Sequence, residues 1–401
     1  MALRGGDRLT MYKAIYASVW ELAEHGLDSA LERIRETGVN TITLAAAPPG
    51  GPTPRPYGPG GRASSPAAGA VHFRARPERY GHIKPRVHPV VSECDGLAEL
   101  QRAAPDLDRA AWVACPHEAP IEGPPLEYVS RNAFGEHYPH RLCPAHPAVR
   151  DYVVNLCADL ARGYDLAAVV LETPGWLPCD RGYHSELATT PLDRWARTLL
   201  SLCFADATRH AARAAGVDAD RLQAQARELV ERYRAADAAP AGMAAAWWFT
   251  DVVSDPEWAA FFDWRCRQVA DLVTDLKAAL PVGTALAVIP TVPCRGAARL
   301  EGIDIGMLAA AADALEIPAY QASAEDVSLD AQDVRRRAGA DAALRFILRP
   351  GHPHLDNGRQ IVEAVLKLKQ IGVAGIAFYD YHHVRLADVA PLRAALEVLE
   401  P

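Results

Sequence analysis

The sequence predicts an α/β fold of the (β/α)8 TIM-barrel type, and three observations point there. Eight short apolar, β-rich runs recur along 401 residues. Segments with apolar residues every three or four positions separate many of them. A last amphipathic stretch, DVAPLRAALEVL, follows the eighth run, as a closing helix must. A doubly wound sheet is the competing architecture. The even strand count and the closing helix favour the barrel.

The candidate strands are YKAIYASVW (12–20), TITLAAA (41–47), RAAWVAC (109–115), LAAVVLE (166–172), ALAVIPTV (285–292), DALEIPAY (313–320), ALRFILRP (343–350) and VAGIAFYDY (373–381). The helical patterns are LDSALERIRETG, DGLAELQRA, PAVRDYVVNLCADLARGY, WRCRQVADLVTDLKAAL and NGRQIVEAVLKLKQIG. Pro147 suits the first turn of its helix, and Gly38 and Gly372 follow the last turns of theirs. The chain is expected to form one barrel domain over 1–401. Insertions interrupt it at about 48–93, 116–146 and 173–255, each following a strand. Within the first, PPGGPTPRPYGPGGRASSPAAG has the composition of a flexible linker. In a barrel, insertions after strands build walls around the catalytic face.

Composition narrows the function classes. Half of the residues are hydrophobic and 23% are charged, as in ordinary globular proteins. The net charge of −8, with no basic run, argues against nucleic acid as the main ligand. The N-terminal stretch has no signal-type apolar region and no apolar run is long enough for a bilayer, so a cytoplasmic protein without membrane association is expected. Eight cysteines without CxxC spacing suit free thiols better than a disulfide frame.

The stretch DLAAVVLETPGW (165–176) carries the first chemical signal. An apolar strand ends in Glu172, at the rim where barrel chemistry is done. A buried acid is costly unless it is paired or useful. Alternation along the strands turns Glu316 inward on the sixth, and Arg345 and Arg349 inward on the seventh. Two inward arginines need anionic partners, so Glu316 can meet Arg345 or Arg349. Cleavage of a glycosidic bond needs a pair of carboxyl groups. Glu172 is the first choice for acid/base, Glu316 for its partner, and Asp380, near the end of the eighth strand, stands in reserve. The bland alternatives are a turn cap or an arginine pair for Glu172 and a salt bridge to Arg345 for Glu316. As a general acid, Glu172 would have to hold its proton near neutral pH, with Pro174 and Trp176 limiting its solvation.

Aromatic and imidazole groups gather at the same strand ends. Trp176, Trp247, Trp248, Tyr320, Tyr379 and Tyr381 are candidates for stacking on sugar rings, although a Trp in a helical insertion is more often core. His117, Arg349, His352 and His354 are further candidates for lining a carbohydrate site. The histidines can be drawn as metal ligands, but no regular HxH or HxxxH stands beside a carboxylate except around His352, His354 and Asp356. A polar lining without metal or cofactor is the expectation.

With these stretches assembled, the sequence resembles the glycosyl-hydrolase-like TIM-barrel families, uncharacterised bacterial relatives of the α-amylase and family-A barrel enzymes. The resemblance rests on PAVRDYVVNLCADLARGYDL leading into AAVVLETPGW, on FFDWRCRQVADLVTDLKAAL leading into LAVIPTV, and on the closing GIAFYDY. It implies a glycoside hydrolase barrel with Glu172 at the family's acid position. The chain departs from the family-A pattern in two places. Leu171 stands where those barrels carry Asn before the acid, and Arg349–Pro350 stand where a nucleophile is expected. LLSLCFADATRHAARAAGVD (199–218) resembles a cysteine-bearing segment CFCxxC of related barrels, with only Cys203 retained.

The leading expectation is therefore a glycoside hydrolase acting on a small glycoside or oligosaccharide, compatible with a homo-oligomer. The alternatives are a metal-dependent sugar isomerase, epimerase or lyase, and a non-catalytic carbohydrate-binding barrel.

Overall fold

The computed structural model describes residues 11–18, 22, 26–50, 53–54, 63–64, 69–114, 124–179, 192–235, 239–290, 298–351, 353–383 and 388–400. Eight parallel strands close into a barrel: β1 (Tyr12–Ala17), β2 (Thr41–Ala47), β3 (Asp108–Ala114), β4 (Ala168–Glu172), β5 (Ala285–Ile289), β6 (Ala314–Pro318), β7 (Leu344–Leu348) and β8 (Gly375–Phe378). Each coincides with one of the eight runs anticipated from sequence, β3 starting one residue earlier than its run. Each strand pairs with the next, and β8 closes on β1 in the register Tyr12↔Gly375 to Ile15↔Phe378.

Alternation divides every strand between two cores. Outward residues such as Ile42, Leu44, Val169, Leu171, Leu286, Val288, Ile317, Phe346 and Phe378 are buried under the helices. The inward set is small: Ala14, Ala45, Ala110, Ala114, Ala168, Ala287, Ala314 and Ala377, with Tyr12, Tyr16, Trp112, Val170, Ile289 and Ile347 among them. Alanines leave room inside the barrel for these few large rings and for an ion pair.

The helical layer comprises α1 (Leu27–Glu36), α2 (Gly96–Ala103), α3 (Pro147–Gly163), α4 (Arg194–Ser201), α5 (Asp206–Ala214), α6 (Ala219–Arg234), α7 (Ala241–Ser254), α8 (Pro256–Ala279), α9 (Ile305–Ala311), α10 (Ala324–Ala338), α11 (Gly358–Ile371) and α12 (Val389–Glu397). Pro147 does open α3, and Gly372 ends α11 in a left-handed conformation. α9 and α10 complete the alternation between β5 and β7, where no helix stood out in the sequence. α4 to α7 all lie between β4 and α8, in the longest insertion. The β3–α3 connection carries an antiparallel pair, Val129–Arg131 with His137–Leu142.

Candidate active site

Glu172 is the last residue of β4 and is partly exposed, level with Ala114 of β3 and Ile289 of β5. The chain then turns sharply. Thr173 has φ +52°, a left-handed conformation that a β-branched residue rarely adopts. Gly175 follows because any Cβ there would collide with the Glu301 carbonyl, and the Trp176 N–H donates to that carbonyl at 2.9 Å. The turn therefore sends Trp176 outward into the helical core while Glu172 stays on the rim.

Around Glu172 the inward rings form a continuous wall. Trp112 Nε1 donates to Glu172 Oε2 at 2.8 Å. The Trp112 ring meets Tyr16 edge-on at 5.5 Å and Tyr379 edge-on at 5.9 Å. Tyr379 also lies 5.9 Å from Tyr16, 6.1 Å from Tyr320 and 6.5 Å from His383. Arg349 spreads its guanidinium over Tyr320 at 4.5 Å and Tyr379 at 5.1 Å, and His354 meets Tyr320 edge-on at 5.8 Å. Side chains from β1, β3 and β4 thus meet others from the segments that follow β6, β7 and β8.

Asp380 directly follows Tyr379. Its Oδ1 accepts from the backbone N–H groups of His382 and His383 and lies 2.7 Å from His383 Nδ1. Burial, the neighbouring Tyr379 and the charges of Glu172 and Asp380 hold the Tyr320 hydroxyl well above the ordinary tyrosine range, against the opposing pull of Arg349. Both carboxylates therefore act on the Tyr320 hydroxyl.

Glu316 sits deeper. It is fully buried, accepting from Arg345 Nη1 at 3.1 Å and from the Tyr16 hydroxyl at 2.5 Å. Arg345 lies 4.0 Å over the Tyr12 ring, whose hydroxyl pairs with Thr43 Oγ1 at 3.1 Å. Gly375 completes this floor, since a Cβ there would clash with Tyr12. Burial first, then the Glu316 charge, hold both Tyr12 and Tyr16 protonated far beyond the usual range.

Several sequence expectations are corrected by these positions. Glu316 is in the barrel floor, bonded to Arg345 and Tyr16, so it does not face substrate as a catalytic group. Trp176 is 2% exposed, packed on Trp264 and 4.1 Å under the Arg265 guanidinium, so it is core and neither shields Glu172 nor stacks on a sugar. Tyr381 is buried beneath Arg33 of α1, its N–H donating to the Tyr16 carbonyl. Trp248 packs against Trp258 and Phe262 of α8. Trp247 remains partly exposed, edge-on to Trp195 of α4. His117 and His352 lie outside the described residues. Glu172, Asp380, Tyr320, Arg349 and His354 come together. Tyr16 and Trp112 were missed, although the alternation Tyr12–Ala14–Tyr16 and Ala110–Trp112–Ala114 marks both as inward. Among the described residues no three His, Cys, Asp or Glu side chains are placed to hold a metal ion.

No family model matches the sequence, and no curated protein matches it. Solved structures do share its fold. The PgaB (BpsB) glycoside hydrolase domain from Bordetella bronchiseptica is 14% identical, with 96% of this chain and 98% of that one covered at a TM-score of 0.59. The catalytic domain of β-amylase from Paenibacillus polymyxa is 12% identical, with 97% and 99% covered at 0.62. β-Galactosidase from the psychrophilic Marinomonas ef1 is 9% identical, with 97% of this chain and 59% of that one covered at 0.53. The likeness is one of fold: this chain shares the closed (β/α)8 barrel of those structures.

Proposed function

We propose that this protein is a glycoside hydrolase acting on a small glycoside or oligosaccharide, with Glu172 as general acid/base and Asp380 as the second carboxylate. The observation that carries the proposal is Glu172 itself: a partly exposed carboxyl at the C-terminal end of β4, held by the Trp112 N–H inside an aromatic wall. The Trp112 bond at Oε2 fixes the orientation of the carboxyl, which gives its proton to the leaving oxygen. The second carboxylate then attacks the anomeric carbon or activates a water, and the separation of the two carboxyl groups sets retention or inversion. Tyr320, Tyr379, Arg349 and His354 supply ring faces and donors for sugar hydroxyls. Glu316 is a positioning residue. It fixes the Tyr16 hydroxyl, Tyr16 backs Trp112, and Trp112 orients Glu172.

Glu172→Gln keeps the shape and removes the titratable proton. Hydrolysis of an alkyl glycoside should fall about 10²–10⁴-fold. The loss should be smaller on an activated aryl glycoside, whose leaving group needs little protonation. Equal losses on both would assign Glu172 to nucleophilic attack or binding. Sugar binding without turnover by the wild type, unchanged in the variant, would make this a carbohydrate-binding barrel.

A further inference from the structure

A pair of thiols lies away from the cleft. Cys143, at the end of the β3–α3 insertion, and Cys203, just before α5, come from different insertions yet place their sulfurs 3.8 Å apart. Both are buried, and both contact Thr208 Oγ1, at 3.2 Å and 3.3 Å. We infer that Cys143 and Cys203 form a dithiol that a hydroperoxide closes to a disulfide, joining the two insertions.

The surroundings divide the roles. Burial alone would raise the Cys203 thiol, but hydrogen bonds from Cys143, Thr208 and the backbone at Ala205 and Arg131 outweigh it and bring Cys203 below its ordinary value. The proton stays on Cys143, pushed up by its bond to Cys203 and by burial. The fully buried Arg265 supplies a second reason. Its guanidinium donates to the Leu300 carbonyl at 2.5 Å, while Nε and Nη1 have no hydrogen-bond partner among the described residues. A thiolate at Cys203 gives this buried cation a negative charge to act on. The N-terminus of α5, three residues beyond Cys203, favours the same charge.

The chemistry balances with a peroxide as oxidant. The Cys203 thiolate attacks one oxygen of hydrogen peroxide, breaking the O–O bond to give the sulfenic acid and releasing hydroxide. Cys143 loses its proton to that hydroxide, forming water, and attacks the Cys203 sulfur. The sulfenic oxygen leaves as hydroxide and is protonated to water by solvent. Overall two thiols and one peroxide become one disulfide and two waters. A depression of about 630 Å³ is lined by His146, three residues from Cys143, and by Ala205, Asp206 and Ala207, two to four residues from Cys203, and peroxide would enter from this side. Closure requires the sulfurs to approach from 3.8 Å to about 2.05 Å, a movement within reach of two loops.

The test uses the full chain, reduced and desalted, then exposed to about one equivalent of hydrogen peroxide before alkylation. Thiols counted in denaturant should fall from eight to six, and non-reducing peptide mapping should recover Cys143 linked to Cys203. In Cys143→Ser a dimedone-type probe should trap sulfenic acid at Cys203. In Cys203→Ser, Cys143 should remain fully alkylatable. Oxidation falling first on the partly exposed Cys94, with Cys143 and Cys203 recovered reduced, would overturn the assignment. So would stoichiometric zinc in the purified protein that protects both thiols from peroxide. The wild-type map decides by itself if either variant fails to fold.

Discussion

Single residues show how burial converts one side-chain type into different roles. Two inward glutamates differ only in depth: Glu172 at the strand end meets the cleft, whereas Glu316, two residues before the end of β6, is sealed between Arg345 and Tyr16. Histidine gives a measurable case. His72 lies 2% exposed beside His88, with ring centres 4.8 Å apart. Burial first, and repulsion from His88 second, lower its pKa from 6.5 to about 4. The unfolded chain thus binds a proton that the folded one refuses between those values, so stability should fall as pH drops from about 6.5 towards 4. The shift corresponds to at most about 3 kcal/mol. Denaturant titrations of the wild type and His72→Gln at pH 7 and pH 4.5 check this: the variant should lose less on acidification. An equal loss in both would place the acid sensitivity elsewhere.

Among elements, α7 is the informative one. Trp247 and Trp248 are adjacent in sequence but stand about 100° apart around the helix, so one can be buried while its neighbour is not. Trp248 is wedged against Trp258 and Phe262, and Trp247 is 41% exposed. Trp248→Ala, which removes a partly buried ring, should therefore destabilise the protein by about 1–3 kcal/mol. Trp247→Ala should cost much less. Chemical denaturation of both variants measures the difference, and similar small effects would mean that α7 is not packed as described. A raised KM in Trp247→Ala with stability retained would restore this ring to the substrate side, as first expected.

At the scale of the molecule, barrel closure brings β6, β7, β8 and β1 side by side, and the Glu316–Arg345 pair bridges the first two while Tyr16 ties in β1. Removing one partner leaves a buried charge uncompensated. Arg345→Met should cost about 3–5 kcal/mol, whereas the double change Arg345→Met with Glu316→Gln should recover part of it. Thermal unfolding of the single and double variants tests the coupling. Purely additive losses would show that the pair acts as two independent groups. Because Tyr16 backs Trp112, Glu316→Gln should also lower kcat on an alkyl glycoside more than it raises KM.

Much of the barrel was legible because its determinants are local. Strand runs of four to seven residues with β-rich composition sit where they were expected, and two-residue alternation correctly turned Glu172, Glu316 and Arg345 inward. What local pattern could not carry is which of two inward acids faces solvent, because depth depends on the stagger between neighbouring strands. Nor could it show where the chain goes after β4. Trp176 looked like a cleft residue until the Thr173 turn and the contact at Glu301 took it into the core. The wall of Tyr16, Trp112, Tyr320 and Tyr379 joins residues up to 363 positions apart (16 to 379), and Cys143 reaches Cys203 across two insertions. The sequence by itself determined the periodicity, and through it the strands and their inward faces. Only the tertiary structure decided which inward groups meet, because barrel closure and the paths of the insertions depend on packing between segments far apart in the chain.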